Sequence, residues 1–194
     1  GAAAVTTLTQ PTTLLTPEEY LAAERAAEAK SEYVDGVVYP MTGAHINHIR
    51  IVTNLTFEFV TQLRGRPFDI LPSEMKVRMP DSRKFFYPDI TIISGEPEFH
   101  DKRKDIILNP VLLVEVLSES TEAFDRGLKF QSYQQLPSLR EYLLVAQDRP
   151  FVEQFVRQGD GRWVYAAFDG RESSLTLPSV ECTLNLGAVY DKVD

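Results

Sequence analysis

The sequence contains a single cysteine, Cys182, so no disulfide can form within the chain, which suits a reducing cytoplasm. No apolar run approaches the roughly 20 residues that a transmembrane helix needs, so we expect no membrane-spanning segment. The first residues carry neither a basic start nor an apolar core, and they predict no secretory signal. These three absences favour a cytoplasmic protein that does not enter a membrane.

Basic residues are also few, because 20 Lys and Arg stand against 28 Asp and Glu and give a formal net charge of −8. This deficit argues against tight nonspecific binding to nucleic acid, which depends on neutralising phosphates. A local basic patch or a bound divalent cation can still reverse the field at one site. Several basic residues are concentrated in one third of the chain, and the alternative to a basic patch is that they are solvated charges on loops. These residues are Arg64, Arg66, Arg78, Arg83 and Lys84, with a short basic run at residues 102–104.

The composition is otherwise that of an ordinary globular protein, with 43% hydrophobic and 25% charged residues. A length of 194 residues predicts one domain with room for a sizeable core. Residues 1–15 are rich in Ala and Thr and predict a flexible N-terminal arm. We therefore place a single domain at residues 16–194.

Three stretches carry helix signals. Thr16-Pro17 followed by two acids predicts a helix that runs to about residue 30. A second helix is predicted to begin near residue 43 or 45 and to end near residues 64–65, and a third is predicted over about residues 122–135. The apolar positions at helical spacing in the second helix are Ile49, Val52, Leu55, Phe59 and Leu63.

Strand signals fill the remaining segments. Asp35-Gly36 predicts a hairpin turn within residues 32–39, and Gly159-Asp160-Gly161 predicts another between residues 151–157 and 163–168. Single strands are predicted over residues 68–79, 85–93, 111–117 and 141–146. The order predicts an α/β fold with a mixed central β-sheet flanked by helices, an N-terminal helix and hairpin, and a C-terminal β-hairpin.

One acid stands inside an apolar strand signal, since Glu115 lies within the Val- and Leu-rich residues 111–117. A run of this kind predicts a strand buried on both faces, where an unpaired carboxylate is costly. Asp89 lies within the predicted strand over residues 85–93, which we expect to be a neighbour of the strand that contains Glu115. Two such carboxylates repel each other unless a proton or a cation lies between them. We therefore predict that Asp89 and Glu115 bind Mg²⁺ or Mn²⁺, a site suited to phosphodiester hydrolysis.

A lysine in the predicted third helix can complete this site. Lys129 should lie about two turns into that helix, from where its side chain can reach Glu115 and stabilise developing negative charge. Asp125, Lys129 and Tyr133 are spaced four residues apart and share one helical face. The alternative is an exposed Asp125–Lys129 ion pair worth about 0.3–0.5 kcal/mol.

Three further residues are candidates for the cleft. Glu32 lies at the entrance of the first hairpin and Glu74 within a predicted strand, with a surface position as the alternative for both. His48 lies near the start of the second helix and can line the cleft. Its helical spacing from His45 favours helix packing or a polar contact at the helix N-terminus over a transition-metal site, since no further ligand is placed to complete one.

The residues now assembled resemble those of the Uma-two family, which consists of nucleases of the PD-(D/E)XK restriction-endonuclease-like superfamily. The resemblance covers about residues 16–146, and the order and spacing of its blocks agree. The matching blocks are Glu32-Tyr33-Val34-Asp35-Gly36, His48, Tyr87-Pro88-Asp89, Val114-Glu115-Val116-Leu117-Ser118 with Thr121, and Asp125, Lys129 and Tyr133 at four-residue spacing. The block around Glu115, followed by Asp125 and Lys129, is the most specific of them.

This resemblance implies a restriction-endonuclease-like core with a metal site at one end of the sheet. It implies that Asp89 and Glu115 are metal ligands, Lys129 the catalytic lysine and Glu32 an additional acid. The superfamily pattern has its lysine two residues after the strand acid, where this sequence has Leu117. The resemblance therefore implies that the lysine role has moved to Lys129.

Three functions are compatible with these residues. The first is a Mg²⁺-dependent endonuclease that cleaves DNA. A homodimer is compatible with this function, because two-fold dimers are the commonest oligomers. The second is a protein that keeps the nuclease fold without catalysis and binds DNA or another protein. The third is a hydrolase of another class that uses Asp89 and Glu115 as an acid–base pair.

Overall fold

The computed structural model describes residues 14–194. Its helices are α1 (Pro17–Ala26), α2 (Ile46–Leu63), α3 (Glu122–Phe124), α4 (Phe130–Tyr133) and α5 (Leu186–Val189), and a π-helical turn, Asp125–Lys129, joins α3 to α4. Its strands are β1 (Ser31–Val34), β2 (Val37–Pro40), β3 (Phe68–Pro72), β4 (Lys76–Arg78), β5 (Lys84–Phe86), β6 (Ile90–Ser94), β7 (Ile106–Ile107), β8 (Pro110–Leu117), β9 (Glu141–Ala146), β10 (Phe151–Arg157), β11 (Trp163–Asp169), β12 (Ser174–Leu177) and β13 (Cys182–Asn185).

A six-stranded mixed sheet forms the centre of the protein, with strand order β11-β10-β9-β8-β6-β3. Strands β8 and β9 are parallel, and the other neighbours in this sheet are antiparallel. The mixed α/β architecture that the sequence predicted is therefore confirmed. The hairpin β10–β11 was expected at the C-terminus, and it forms one edge of this central sheet.

Both faces of the central sheet are covered by apolar cores. One core lies between the sheet and α2, and the hairpin β12–β13 and α5 complete that layer. The other core includes residues of α4 and of a second sheet, whose strand order is β2-β1-β5-β4-β7. Side chains alternate along a strand, so Glu115 of β8 points to the same face as Leu113 and Leu117, which belong to the second core.

Two predicted strands are each divided between the two sheets, which corrects the predictions of single strands over residues 68–79 and 85–93. The chain leaves the central sheet after Pro72 and returns to it after Pro88. Proline has no N–H to donate to a ladder, so both positions favour an interruption. Ser73 also has a positive φ of 53°, which turns the chain at the first crossing. The second crossing places Asp89 immediately before β6.

Local sequence signals placed most element ends well. Thr16 and Glu19 form the reciprocal hydrogen bonds of a capping box at the start of α1. Asp35 and Gly36 both have positive φ, as a type I′ hairpin turn requires. The helix α1 ends at Ala26 instead of residue 30, because Ser31 already begins β1.

Three other features differ from the sequence prediction. The predicted third helix contains the π-helical turn and ends at Tyr133. Ile49, which was expected on the buried face of α2, is 51% exposed. The hairpin β12–β13 and the helix α5 were not predicted at all. Of the predicted N-terminal arm, residues 1–13 lie outside the described residues, whereas the backbone N–H of Leu15 donates to Gly36 at 3.0 Å.

No helix within residues 14–194 has the length and apolar character required to cross a membrane.

Candidate active site

Glu115 lies in the middle of β8 with only 3% of its surface exposed. Its Oε1 accepts hydrogen bonds from Lys129 Nζ at 2.9 Å and from the Tyr133 hydroxyl at 2.8 Å. The buried acid of the apolar strand therefore has an ammonium partner and a neutral donor. Both donors come from the segment that follows β8 and folds back over it.

Asp89 lies beside Glu115 because β6 and β8 pair antiparallel, with Ile90 opposite Val114. One carboxylate oxygen of Asp89 accepts from the backbone N–H of Val116 at 2.7 Å. The other lies 2.9 Å from His48 Nε2, at the start of α2. Neighbouring strands of the central sheet thus bring together the two acids that the sequence predicted as metal ligands.

Lys129 is surrounded by carboxylates. Its Nζ lies 2.9 Å from Glu32 Oε2, 2.9 Å from Glu115 Oε1 and 3.5 Å from Asp125 Oδ1. The Lys129 side chain is 4% exposed, so the alternative of an exposed Asp125–Lys129 ion pair is wrong. Glu32 is also buried, and it accepts from the backbone N–H of Tyr87 at 2.7 Å.

The π-helical turn is the local structure that buries both of its charged ends. Asp125 and Lys129 are its first and last residues, and they are 2% and 3% exposed. A single π-helical turn within an α-helix widens the helix locally and is frequent at functional sites. The Tyr142 hydroxyl donates to the backbone carbonyl of Asp125 at 3.1 Å and so supports this turn from β9.

We use the term acid cluster for Glu32, Asp89, Glu115 and Asp125. Burial raises the pKa of Glu115 well above its ordinary value of 4.5, and the Lys129 ammonium only partly offsets this effect. Burial also raises the pKa of Asp125 to about 6, again against the attraction of Lys129. Burial by itself lowers the pKa of Lys129, but its carboxylate neighbours outweigh that effect and hold it well above 10.5. Lys129 is therefore charged, and Glu115 and Asp125 hold protons more readily than isolated carboxylates do.

His48 carries a testable electrostatic signature of its contact with Asp89. Burial lowers the pKa of His48, but the hydrogen bond to Asp89 and the charge of Asp89 outweigh burial. The pKa of His48 is therefore raised above its ordinary value of 6.5. We expect Asp89→Asn to lower the pKa of His48, as measured by NMR titration of the imidazole. Asp69→Asn, at an exposed position of β3, is the matched control. A His48 titration that is the same in wild type and Asp89→Asn would contradict this electrostatic coupling.

The remaining predicted residues are placed as follows. Tyr133 contacts Glu115, as described above, whereas Glu74 lies at the surface with its carboxylate 3.0 Å from Lys30 Nζ. No ion pair or hydrogen bond joins Glu74 to the acid cluster in the described part of the chain. Leu117, at the position of the usual superfamily lysine, packs in the second apolar core. His45 caps α2 through its side chain, in agreement with a structural role.

The side-chain geometry does not form a complete metal-ligand set by itself. Among the residues from 14 to 194, no three His, Cys, Asp or Glu side chains are arranged to hold a metal ion together. Asp89 and Glu115 therefore form a pair of adjoining carboxylates, with Lys129 in the space beside them.

A comparison with known families identifies the chain. A family model described as "Uma2: Putative restriction endonuclease" matches residues 17–187. The chain belongs to the Uma2 family.

Two relatives from Synechocystis sp., named "Uncharacterized protein sll1609" and "Uncharacterized protein slr1290", are 37% and 34% identical to it. These matches cover 84% and 91% of this chain, and 93% and 91% of the relatives.

A solved structure supports the fold of this Uma2 protein. A crystal structure described as "a putative nuclease belonging to DUF820", from Anabaena variabilis, matches with a TM-score of 0.76. The match covers 93% of this chain and 99% of the other, at 16% sequence identity. At this identity the likeness shows the fold alone, and it confirms the predicted nuclease-like core.

Sequence reasoning missed several contacts that shape the site of this Uma2 protein. The backbone N–H groups of Val116 and Tyr87 orient Asp89 and Glu32, and no sequence signal marks such donors. The rings of Phe86 and Phe124 lie 5.5 and 5.7 Å from Lys129 Nζ and add cation–π attraction to its ammonium. Aromatic residues of this kind are indistinguishable in sequence from ordinary core residues.

Proposed function

We propose that this Uma2 protein is a metal-dependent endonuclease that hydrolyses phosphodiester bonds of DNA. The observation that carries the proposal is an excess of negative charge at a buried site. The four carboxyl groups of the acid cluster are set against one ammonium, Lys129, and one imidazole, His48. Such an excess is stable only if protons or a cation compensate it.

The donor set fits a hard divalent cation. Carboxylate oxygens are the ligands that Mg²⁺ and Mn²⁺ favour, and Mg²⁺ needs only one or two of them because it keeps several waters. Asp89 and Glu115 would hold the cation, each fixed by its own donors on neighbouring strands. When bound, Mg²⁺ lowers the pKa of water and offsets negative charge on a phosphate.

The residues around these two acids have separate roles in this proposal. The ammonium of Lys129 stabilises negative charge that develops on the phosphate, because it is held in a water-poor setting where electrostatic attraction is strong. Tyr133 and Val116 fix the orientations of Glu115 and Asp89, and His48 holds the second oxygen of Asp89. Glu32 keeps Lys129 charged and in place.

A direct experiment tests the proposed activity. Linear and plasmid DNA are incubated with the protein in Mg²⁺, in Mn²⁺ and in excess chelator. We expect cleavage with either cation and none with chelator. Cleavage that is equal in chelator and in Mg²⁺ would contradict a metal-dependent mechanism.

The stabilisation that Mg²⁺ gives to the protein is expected to increase with pH. The folded-state pKa of Asp125 is raised to about 6, so the proton on Asp125 stabilises the folded state. This stabilisation is fully present below the ordinary pKa of 3.8 and is lost as the pH rises through about 6. Glu115 acts in the same direction. A cation must displace these protons at low pH but finds ionised carboxylates at high pH. Thermal unfolding with and without Mg²⁺, at pH values below and above 6, measures the effect.

Two comparisons make the Mg²⁺ experiment specific. Na⁺ at equal ionic strength controls for screening of surface charge. Glu115→Gln removes a proposed ligand and should abolish the Mg²⁺-dependent increase in melting temperature. An increase that is independent of pH, or one that persists in Glu115→Gln, would place the bound cation elsewhere.

A second candidate function is a nuclease-fold protein that binds DNA or another protein without catalysis. The observation that favours it is the position of Lys129, whose ammonium already lies between Glu32 and Glu115 and compensates part of their charge. Calorimetric titration with Mn²⁺ distinguishes the two candidates. Binding that depends on Asp89 and Glu115 supports the enzyme, and absence of binding supports the non-catalytic protein.

A further inference from the structure

Lys76 on β4 is a buried lysine that forms no ion pair within residues 14–194. Only 3% of its surface is exposed, and in the described ranges its Nζ makes no hydrogen bond or salt bridge. Its ammonium lies 5.5 Å from the centre of the Tyr87 ring, and the carboxylates of Glu24, Asp101 and Asp105 attract it without forming an ion pair. A buried charge without a partner is costly and predicts either neutralisation or an anionic ligand. Burial does lower the pKa of Lys76 from its ordinary value of 10.5.

A second ammonium approaches the same aromatic ring. Lys30 Nζ lies 5.3 Å from the centre of the Tyr87 ring, and it donates to the backbone carbonyl of Ser73 at 3.2 Å. Its ion-pair partner is Glu74, whose side chain is 81% exposed. An exposed pair of this kind contributes little free energy. An incoming anion can therefore replace Glu74 as the partner of Lys30 at small cost.

The two lysines lie next to the acid cluster. Tyr87 is two residues from Asp89, a distance of about 7 Å along an extended chain. The backbone N–H of Tyr87 donates to Glu32, and the backbone N–H of Ser73 donates to the carbonyl of Asp89 at 2.8 Å. Ser73 itself has a positive φ of 53°, which is uncommon for a residue other than glycine and is concentrated at functional sites.

We propose that Lys30 and Lys76, beside Tyr87, form a subsite for a backbone phosphate of the DNA strand, adjacent to the phosphate that is cut at the acid cluster. This inference rests on the proposed function, because it assigns a part of the same substrate. Lysine ammonium groups suit phosphate as compact point charges with several donors. The Tyr87 hydroxyl is already hydrogen-bonded to Glu24 at 2.9 Å, and its ring is buried, so the subsite offers no stacking surface for a base.

The subsite explains how a protein of net charge −8 can bind a polyanion. Phosphate contacts position a nucleic acid without reading its sequence. A phosphate held at the lysines would place its neighbour along the strand at the acid cluster. The expected result is binding that is independent of base sequence and sensitive to salt.

The test separates DNA binding from cleavage. Affinity for a fluorescent DNA duplex is measured over a range of salt concentrations, in chelator and in Ca²⁺, a hard cation that also prefers oxygen ligands. Lys76→Met and Lys30→Met are each expected to weaken DNA binding roughly tenfold. This is the effect expected when one hydrogen bond to a charged group is lost. Both substitutions together should reduce the slope of log affinity against log salt by about 0.9, the value for the one phosphate that the two lysines share, and each alone should reduce it by part of that amount.

Three variants serve as matched comparisons. Lys102→Met removes the same charge at an exposed position and should leave the salt slope nearly unchanged. Glu74→Gln frees Lys30 and should tighten binding several-fold, since it removes the competing carboxylate. Lys76→Met should raise the melting temperature while it weakens binding, because it removes a buried unpaired charge. A lysine with a purely structural role would lower the melting temperature instead.

The outcomes for the subsite and for the proposed nuclease differ. If DNA binding depends on Lys30 and Lys76 but no cation supports cleavage, the subsite stands and the nuclease proposal fails. If DNA is cleaved while Lys76→Met and Lys102→Met have equal effects on the salt slope, the subsite fails and the nuclease proposal stands. Absence of DNA binding under every condition overturns the subsite.

Discussion

Lys129→Met is expected to lower the free energy of unfolding by about 3–5 kcal/mol, the range for breaking a buried ion pair by removal of one partner. Methionine preserves most of the volume of lysine but leaves Glu32, Glu115 and Asp125 without their ammonium partner. The loss should be larger at pH 8 than at pH 5, because the carboxyl groups can take up protons at the lower pH. Urea unfolding at the two pH values measures it.

Two controls support the interpretation of Lys129→Met. Lys84→Met removes a lysine whose ion pairs with Asp35 and Asp81 lie at the surface, and it should change stability by no more than about 1 kcal/mol. Mg²⁺ should restore part of the stability of Lys129→Met, since the cation can compensate the charge that the ammonium leaves. A variant as stable as wild type at pH 8 would mean that Lys129 does not compensate the acid cluster.

Asp89→Asn is expected to reduce Mg²⁺-dependent DNA cleavage by about 10³-fold or more, since a bound cation supplies several kcal/mol of charge stabilisation. Asparagine has the same shape and can still accept the hydrogen bond from the Val116 N–H, so the fold should persist. Its neutral oxygen is a poor ligand for Mg²⁺ compared with a carboxylate. Single-turnover cleavage with excess enzyme measures the chemical step apart from product release.

The matched control for this substitution is Asp69→Asn, which makes the same chemical change at an exposed position of β3. It should retain wild-type cleavage. Circular dichroism and thermal unfolding of both variants establish that neither has lost the fold. Full cleavage by Asp89→Asn, or equal losses in both variants, would exclude Asp89 as a specific metal ligand.

The two central carboxylates were predictable because their signals are local. A Val- and Leu-rich run predicts a buried strand, and an acid within it stands out against its neighbours. The pairing of β6 with β8 then brings Asp89 beside Glu115. Such a pairing is common, because strands that are close in sequence are often neighbours in a sheet. The Uma2 family and the nuclease-like core were both confirmed by the comparisons with known proteins.

Other predictions fall outside what the structure and the comparisons test. The single domain at residues 16–194, the homodimer, the cytoplasmic location and the assignment of Mg²⁺ or Mn²⁺ stay predictions. The catalytic roles are likewise proposals, which the geometry of the acid cluster supports. They concern Asp89, Glu115, Lys129 and Glu32. The candidate Glu74 lies at the surface and enters the proposals only as the partner of Lys30.

The sequence by itself determined the elements whose causes are local: the capping box of α1, the type I′ turn at Asp35-Gly36, the apolar strand β8 and the acid within it. Only the tertiary structure decided that Lys129 reaches Glu115, because that contact depends on a π-helical turn folding back over the sheet. The same holds for Glu32, which is buried through the pairing of β1 with β5. Long-range packing sets the distances between the charged groups and their burial. Short distances in a buried setting couple these acids and the lysine electrostatically, although the same residue types are common at protein surfaces.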